Sequence, residues 1–221
     1  MEVVRSVPLY QQVYNQLRQE IISGNIRSET SINEVHLARE LEVSRGPVRE
    51  AIRILEQEGL LIRDNKNQLR PYHATIEDLE HIYQCRQVLE MLAVKLAASR
   101  ISKARLQDLE VMLQKKELLL DETDAGEFSA LCSEFHNIII ASCGNPRLQQ
   151  QIKHLRSLTF LYRHKNANGQ SRRNIIVSDH RKILQFLREN KPDEAEAFMK
   201  EHIERDLQNL ISLYQNGELE H

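Results

Sequence analysis

The chain has 221 residues, 41% of them hydrophobic and 28% charged, with 30 Lys/Arg against 32 Asp/Glu for a net charge of -2. That balance excludes a globally basic nucleic-acid binder, so any nucleic-acid contact must come from local clustering. Seven Gly, five Pro and 5% aromatic residues favour a helix-rich protein with short loops, in one large or two small domains. No apolar run approaches the roughly 18 residues that a membrane-spanning helix needs. The N-terminus lacks a signal-peptide core, so a cytoplasmic protein with no membrane partner is expected. Cys85, Cys132 and Cys143 have no zinc-finger spacing, and an odd number argues against a disulfide framework. Leu219-Glu220-His221 reads as the remnant of a purification tag.

In chain order, residues 8–23 form a first helix, with Leu9, Val13, Leu17 and Ile21 four apart and Gly24 as its C-terminal stop. Ser31 and Glu34 make an S-x-x-E capping box for a second helix, whose apolar face is Ile32, Val35, Ala38 and Leu41. After the break at Glu42-Val43, Ser44 is the N-cap candidate of a third helix, with Pro47 tolerable in its first turn. Val48, Ala51, Ile52 and Leu55 face inward, while Arg45, Arg49 and Arg53 stack on the opposite face. Two short helices joined by a tight turn, the second opening on arginines, is the pattern of a helix-turn-helix. The same spacing also suits a surface helix with solvated arginines.

Leu60 to Arg63, a polar turn at Asp64-Asn65-Lys66-Asn67, and Gln68 to His73 predict a β-hairpin with Arg63, Lys66 and Arg70 near its tip. Residues 1–74 carry ten Lys/Arg and ten Asp/Glu, yet the positive groups cluster on the third helix and the hairpin. Base contacts are expected from Arg45 and Arg49, since Arg reads guanine bidentately. Gly46 lets backbone approach the duplex. Phosphate contacts fall to Ser44, Arg53, Lys66 and Arg70. Glu50 is expected to orient an arginine or to pack.

Past the Pro71–Ala74 linker, Thr75 caps a second domain over residues 75–216 that reads as nearly all helix. Ile76, Leu79, Ile82, Leu89, Leu92 and Leu96 mark its first stripe; Leu106, Leu109 and Leu113 the next; Phe128, Leu131, Phe135 and Ile138 or Ile139 a third. Asn145-Pro146 starts a fourth, Asn166 to Arg172 is a polar loop, and Pro192 opens the last. The fold class is therefore mainly α: a winged helix-turn-helix followed by an antiparallel bundle of six to seven helices. His136, His180 and His202 all lie on inward stripes. Three buried imidazoles are costly unless each has a partner. A divalent metal would satisfy all three, and so would a separate carbonyl or carboxylate for each. No glycine-rich phosphate loop or G-x-S-x-G elbow is present, and no general base stands out beside the histidines, which weighs against an enzyme.

The run VSRGPVREAIRILEQEGLL resembles the recognition-helix segment of the GntR family of bacterial transcription regulators, and LYQQVYNQLRQEIISGNI resembles that family's first helix. The sequence departs from the family at Glu42, where Gly is usual, at Ser28-Glu29, where Pro-Gly is common, and at a hairpin tip without glycine. There Asn65 and Asn67 must supply any positive φ. Val35 stands where some relatives carry a contacting arginine. CRQVLEMLAVKLAA, EFHNIIIASCGNPRL and DHRKILQFLRENKPDEAEAFMKEHIERDL resemble the FCD domain, the effector-binding domain of the FadR-type branch.

That resemblance implies a metal site at His136, His180 and His202. An Asp or Asn four residues before the first histidine usually joins it; here that place is Cys132. A thiolate there would favour zinc, whereas a packed Cys132 would leave the place to water or Glu134. The resemblance also implies a small carboxylate effector held by arginines, with Arg86 the best match and Arg156 or Arg163 as further candidates; salt bridges are the alternative role for all three. The expected function is a ligand-responsive, homodimeric regulator of palindromic operator DNA, repressing transcription. A metal-free site for an acyl ligand and a metal-dependent hydrolase are the competing readings.

Overall fold

The computed structural model describes residues 7–73, 75–121 and 126–218, with the side chains at 22, 154, 156, 157, 159–161 and 164 outside the described set. A break between residues 74 and 75 divides the chain into two compact units.

The first unit runs α1 (Leu9–Ile22), α2 (Glu34–Glu40), α3 (Arg45–Gln57), β1 (Leu61–Arg63) and β2 (Leu69–Pro71). Val13, Leu17 and Ile21 of α1 pack on α3, whose Val48, Ala51, Ile52 and Leu55 are all buried. Burying a side chain of this size contributes about 1.5–3 kcal/mol. Leu9 stands 45% exposed and takes no part. Tyr14 Oη donates to the Glu58 carboxylate at 2.9 and 3.0 Å, tying α1 to the end of α3. The strands pair antiparallel, Ile62 opposite Arg70.

Two sequence expectations fail here for local reasons. Asn33, not Ser31, caps α2: its Oδ1 accepts from Val35 N at 2.9 Å and His36 N at 3.1 Å. The residues before it are extended, because Ile32 N donates to Leu69 O at 2.8 Å and adds a bridge to the hairpin. The later start turns Val35 outward, 45% exposed, and leaves Ala38 as the buried residue of α2. Two departures from the GntR pattern become visible in the backbone. Glu42 has φ +53° and Asn67 has φ +59°, so each takes a left-handed conformation without being glycine. Asn65 does not.

The second unit contains α4 (Ile76–Ala98), α5 (Lys103–Leu118), α6 (Gly126–Ser142), α7 (Pro146–Asn166), α8 (Gln170–Arg188) and α9 (Pro192–Gln215). Thr75 Oγ1 accepts from Asp78 N at 3.2 Å, Asn145 Oδ1 from Leu148 N at 3.1 Å, and Pro192 sits at the first turn of α9. Central in this unit is α4, packed on α6, α7, α8 and most extensively α9. Its buried face takes in Leu79 and Ile82 of the expected stripe but is not that stripe alone. Tyr83, Arg86, Glu90, Ala93 and Ala97 are buried, while Leu92 is 42% exposed. Two charged residues complete the inward face, which an apolar count cannot register. The predicted loop over 166–172 is shorter than expected: α7 runs through Asn166 and α8 begins at Gln170. Gly169 at φ +80° turns the chain between them.

Candidate functional site

In the first unit, the outer face of α3 carries Arg45, Gly46, Arg49 and Arg53, all exposed. Ser44 precedes it in extended conformation and makes no side-chain capping bond. A Cβ on Gly46 would meet nothing within 4 Å, so packing does not require glycine there. No ion pair to Arg45 occurs among the described residues. Arg49 Nε lies 3.6 Å from Glu34 Oε2 with 65% of its side chain exposed, a weak contact that leaves the guanidinium accessible.

The other predicted DNA contacts divide. Arg53 is held by Glu50 through bonds of 3.0 and 2.5 Å, so Glu50 orients an arginine as expected, but its fork is already engaged. Arg70 is half-buried and stitches the hairpin: Nε donates to Asp64 Oδ2 at 2.8 Å, Nη2 to Gln68 Oε1 at 2.7 Å, and Nη1 to the Glu29 carbonyl. It shapes the wing instead of extending from it. Lys66 is exposed at the tip, its backbone N held by Asp64 Oδ1 at 2.8 Å.

The second unit brings His136 of α6, His180 of α8 and His202 of α9 together from positions far apart in sequence. They are 3%, 1% and 1% exposed, and their ligand atoms all lie within 4.8 Å of one another. Two are oriented by carboxylates. His136 Nδ1 is 2.6 Å from Glu90 Oε2, and His202 Nδ1 is 3.0 Å from Asp179 Oδ2, itself gripped by Arg205 at 2.9 and 3.1 Å. A carboxylate accepting from Nδ1–H fixes the tautomer and leaves the Nε2 lone pair for another partner. At His180, which stacks on Phe135 with ring centroids 4.2 Å apart, Nδ1 meets Lys116 Nζ. His180 Nε2 and His202 Nε2 are buried with no hydrogen-bond partner.

Burial dominates the electrostatics of this centre. Burial pushes His136 down to about 3 and takes His180 well below the ordinary imidazole value, with Lys116 adding to the latter. Lys116 is itself lowered to about 8 by burial. Burial raises Glu90, but Arg86, His136 and Arg163 outweigh it and hold the carboxyl well below its usual range. Asp206 is likewise held low, by His202, Arg86 and Arg172 against its burial.

The histidines share one small cavity with Arg86, Arg163, Cys132 and Asp206. It leaves about 20 Å³ for the centre of a water-sized body, about the room one water or ion needs. Arg86 Nε donates to Glu90 Oε1 at 2.7 Å and Nη1 to Asp206 Oδ2 at 3.3 Å; its Nη2 is buried without a partner. Arg163 Nη2 reaches Glu90 Oε1 at 3.3 Å. The Arg156 side chain lies outside the described residues. Glu134 is exposed and bonded to Asn137, away from the centre.

Cys132 lines the cavity but packs in an apolar cluster with Phe128, Ala167, Ile176 and Val177, and burial raises its thiol pKa. The set of mutually close ligand atoms consists of the three histidines alone. Glu90, Asp179, Lys116 and Asp206 were not singled out from the sequence. Helical spacing offered a signal for two of them: Glu90 is one turn from Arg86 and Asp206 one turn from His202.

Comparison with known proteins follows these two units. Residues 9–68 match the bacterial regulatory proteins of the gntR family, and residues 81–205 match the FCD domain. The chain is similar to YdhC, an uncharacterized HTH-type transcriptional regulator of Bacillus subtilis (strain 168): 31% identical over 214 residues, covering 96% of each. It is also similar to the Nta operon transcriptional regulator of Aminobacter aminovorans, 30% identical over 197 residues, 87% of this chain and 90% of that one. Among solved structures, E. coli McbR/YncC superposes with a TM-score of 0.79 at 22% identity, over 95% of this chain and 100% of that one. These relatives are regulators, not enzymes. No helix among the described residues is long and apolar enough to cross a membrane. The chain belongs to the GntR family of DNA-binding transcription regulators and carries an FCD effector-binding domain.

Proposed function

We propose that this regulator is a cytoplasmic, homodimeric repressor of the FadR-type branch that senses a small carboxylate at a divalent metal held by His136, His180 and His202. The observation that carries the reading is the buried triad, with two Nε2 atoms left without partners inside one cavity. Separate core histidines would each find a local acceptor. The donor set fits the metal: three buried imidazoles, two of them anchored at Nδ1 by carboxylates. Zinc suits such an imidazole-rich set. When bound, the ion supplies a Lewis-acidic anchor for a ligand oxygen.

The protein's own groups do the rest. Arg86 Nη2 offers a buried donor toward an anion, and Arg163 brings a second positive charge to the same cavity. The small free volume weighs against the competing acyl-chain reading. DNA reading falls to Arg45 and Arg49 at the start of α3, with Gly46 between them, and phosphate contacts to Ser44 and Lys66. The effector then acts through its difference in affinity for the DNA-competent and incompetent states.

Metal analysis of protein purified without chelating resin is expected to return about one ion per chain. His180→Ala should lose it while the apo protein still shifts operator DNA. A wild-type protein that takes up no divalent metal under any loading condition refutes the metal reading.

A further inference from the structure

We infer that Asp206, not Cys132, supplies the non-histidine protein donor to the ion at the triad, through its Oδ2; the inference rests on the metal reading above. Asp206 follows His202 by one turn of α9, so the two side chains share a face. Its Oδ2 lies 3.9 Å from His202 Nε2, both at most 5% exposed. That is within the roughly 4 Å that two ligands of one ion can span, whereas the histidine atoms, up to 4.8 Å apart, must close in on binding. The carboxylate lies outside the tight three-histidine set but against its His202 edge, and it lines the same cavity.

The two oxygens of Asp206 have different surroundings. Oδ1 accepts from Asn166 Nδ2 at 2.8 Å and Arg172 Nη2 at 2.5 Å, which hold the group in place. Asn166 is fixed in turn by Asn209 Nδ2 at 2.9 Å. Oδ2 takes one long 3.3 Å bond from Arg86 Nη1 and keeps lone-pair capacity on the histidine side. Charge points the same way. A divalent ion beside Arg86 and Arg163 needs an anion close by, and an aspartate carries that charge already. Cys132 would have to lose a proton to serve. The carboxylate missing four residues before His136 is thus replaced by one four residues after His202.

Cobalt(II) is the probe. Chelator-treated protein is titrated with Co(II), and affinity is read by competition with a chromophoric chelator. Wild type should bind Co(II) without a thiolate-to-cobalt charge-transfer band in the near ultraviolet. Asp206→Asn should bind about tenfold more weakly or worse, and Cys132→Ala within about twofold of wild type. In a Cys132→Ala background, Asp206→Cys should gain the charge-transfer band, a signal that a purely structural role for position 206 would not produce. A band in wild type that Cys132→Ala abolishes overturns the inference, as does wild-type affinity in Asp206→Asn. Wild type that takes up no Co(II) overturns the metal reading together with it; the other failures leave that reading standing.

Discussion

Lowering the pH of the metal-free protein from 7.5 to 5.5 should destabilise the helical unit. His136 is lowered to about 3 and His180 well below 6.5, both by burial first. Both therefore stay neutral in the fold while the unfolded chain takes up protons below about 6.5. A folded pKa below the unfolded one gives stability that is present above the unfolded value and lost as pH falls toward the folded one. At pH 5.5 each histidine costs about 1.4 kcal/mol relative to pH 7.5, one pKa unit's worth, and the two together about 3 kcal/mol. That corresponds to a fall in Tm of roughly 5–10 °C for a unit of this size.

The window isolates the histidines. The carboxyls of Glu90, Asp179 and Asp206, lowered from 4.5, 3.8 and 3.8, lose their contribution only below those values. Lys116, lowered from 10.5 to about 8, changes its contribution above this range. Thermal melts by circular dichroism in the presence of chelator make the measurement, and His180→Leu should reduce the shift by about half. A Tm that stays level between pH 7.5 and 5.5 would show that His136 and His180 are not held neutral, and the reasoning would fail.

Arg49→Ala should weaken operator binding by about 1–3 kcal/mol and flatten the salt dependence; an unchanged gel-shift titration would remove Arg49 from the interface. Arg70→Ala should act through the hairpin instead, lowering the melting temperature of the DNA-binding unit along with its affinity. Glu42→Gly should stabilise that unit by about 0.5–1 kcal/mol, because glycine meets φ +53° without the Cβ penalty; a denaturant midpoint that falls would contradict the strain argument. Glu90→Gln strips the charge that faces buried Arg86 and Arg163 and the acceptor that fixes His136. It should cost about 3–5 kcal/mol of stability and at least tenfold in metal affinity, read by chemical denaturation and chelator competition.

Where apolar spacing and punctuation govern, the sequence is a sufficient guide. The α3 core of Val48, Ala51, Ile52 and Leu55, the Thr75 cap and the Pro192 start all follow from local rules. The start of α2 does not, because Ile32 is claimed by a long-range bridge to Leu69 that overrides the Ser31 capping box. On α4 the apolar stripe is incomplete for a different reason: Leu79 and Ile82 are buried as expected, but Arg86 and Glu90 satisfy each other on the inward face, and Leu92 lies at the surface. At the centre, the three histidines were legible because each sits amid apolar neighbours on its own helix. Their orienting groups were not. Glu90 meets His136 across 46 residues and Lys116 meets His180 across 64, distances over which periodicity carries no information.

The same arrangement explains how a small ligand could matter to a protein of this size. Leaving a buried polar atom unsatisfied costs about 1–3 kcal/mol. His180 Nε2, His202 Nε2 and Arg86 Nη2 are three such atoms around one cavity. On the proposed reading, a metal and an anion make good the part of this deficit that solvent leaves. Allosteric coupling free energies are typically about 1–3 kcal/mol, so recovering part of that deficit is enough to bias a two-state equilibrium. The bias requires only that one of the two states hold the histidines less closely. On that reading, a site whose groups gain partners on binding trades stability in the empty state for responsiveness. Thermal stabilisation by metal should accordingly exceed what simple occupancy of an exposed site gives. It should vanish when His180 and His202 are both replaced by Leu, since only His136 of the triad would remain to hold the ion.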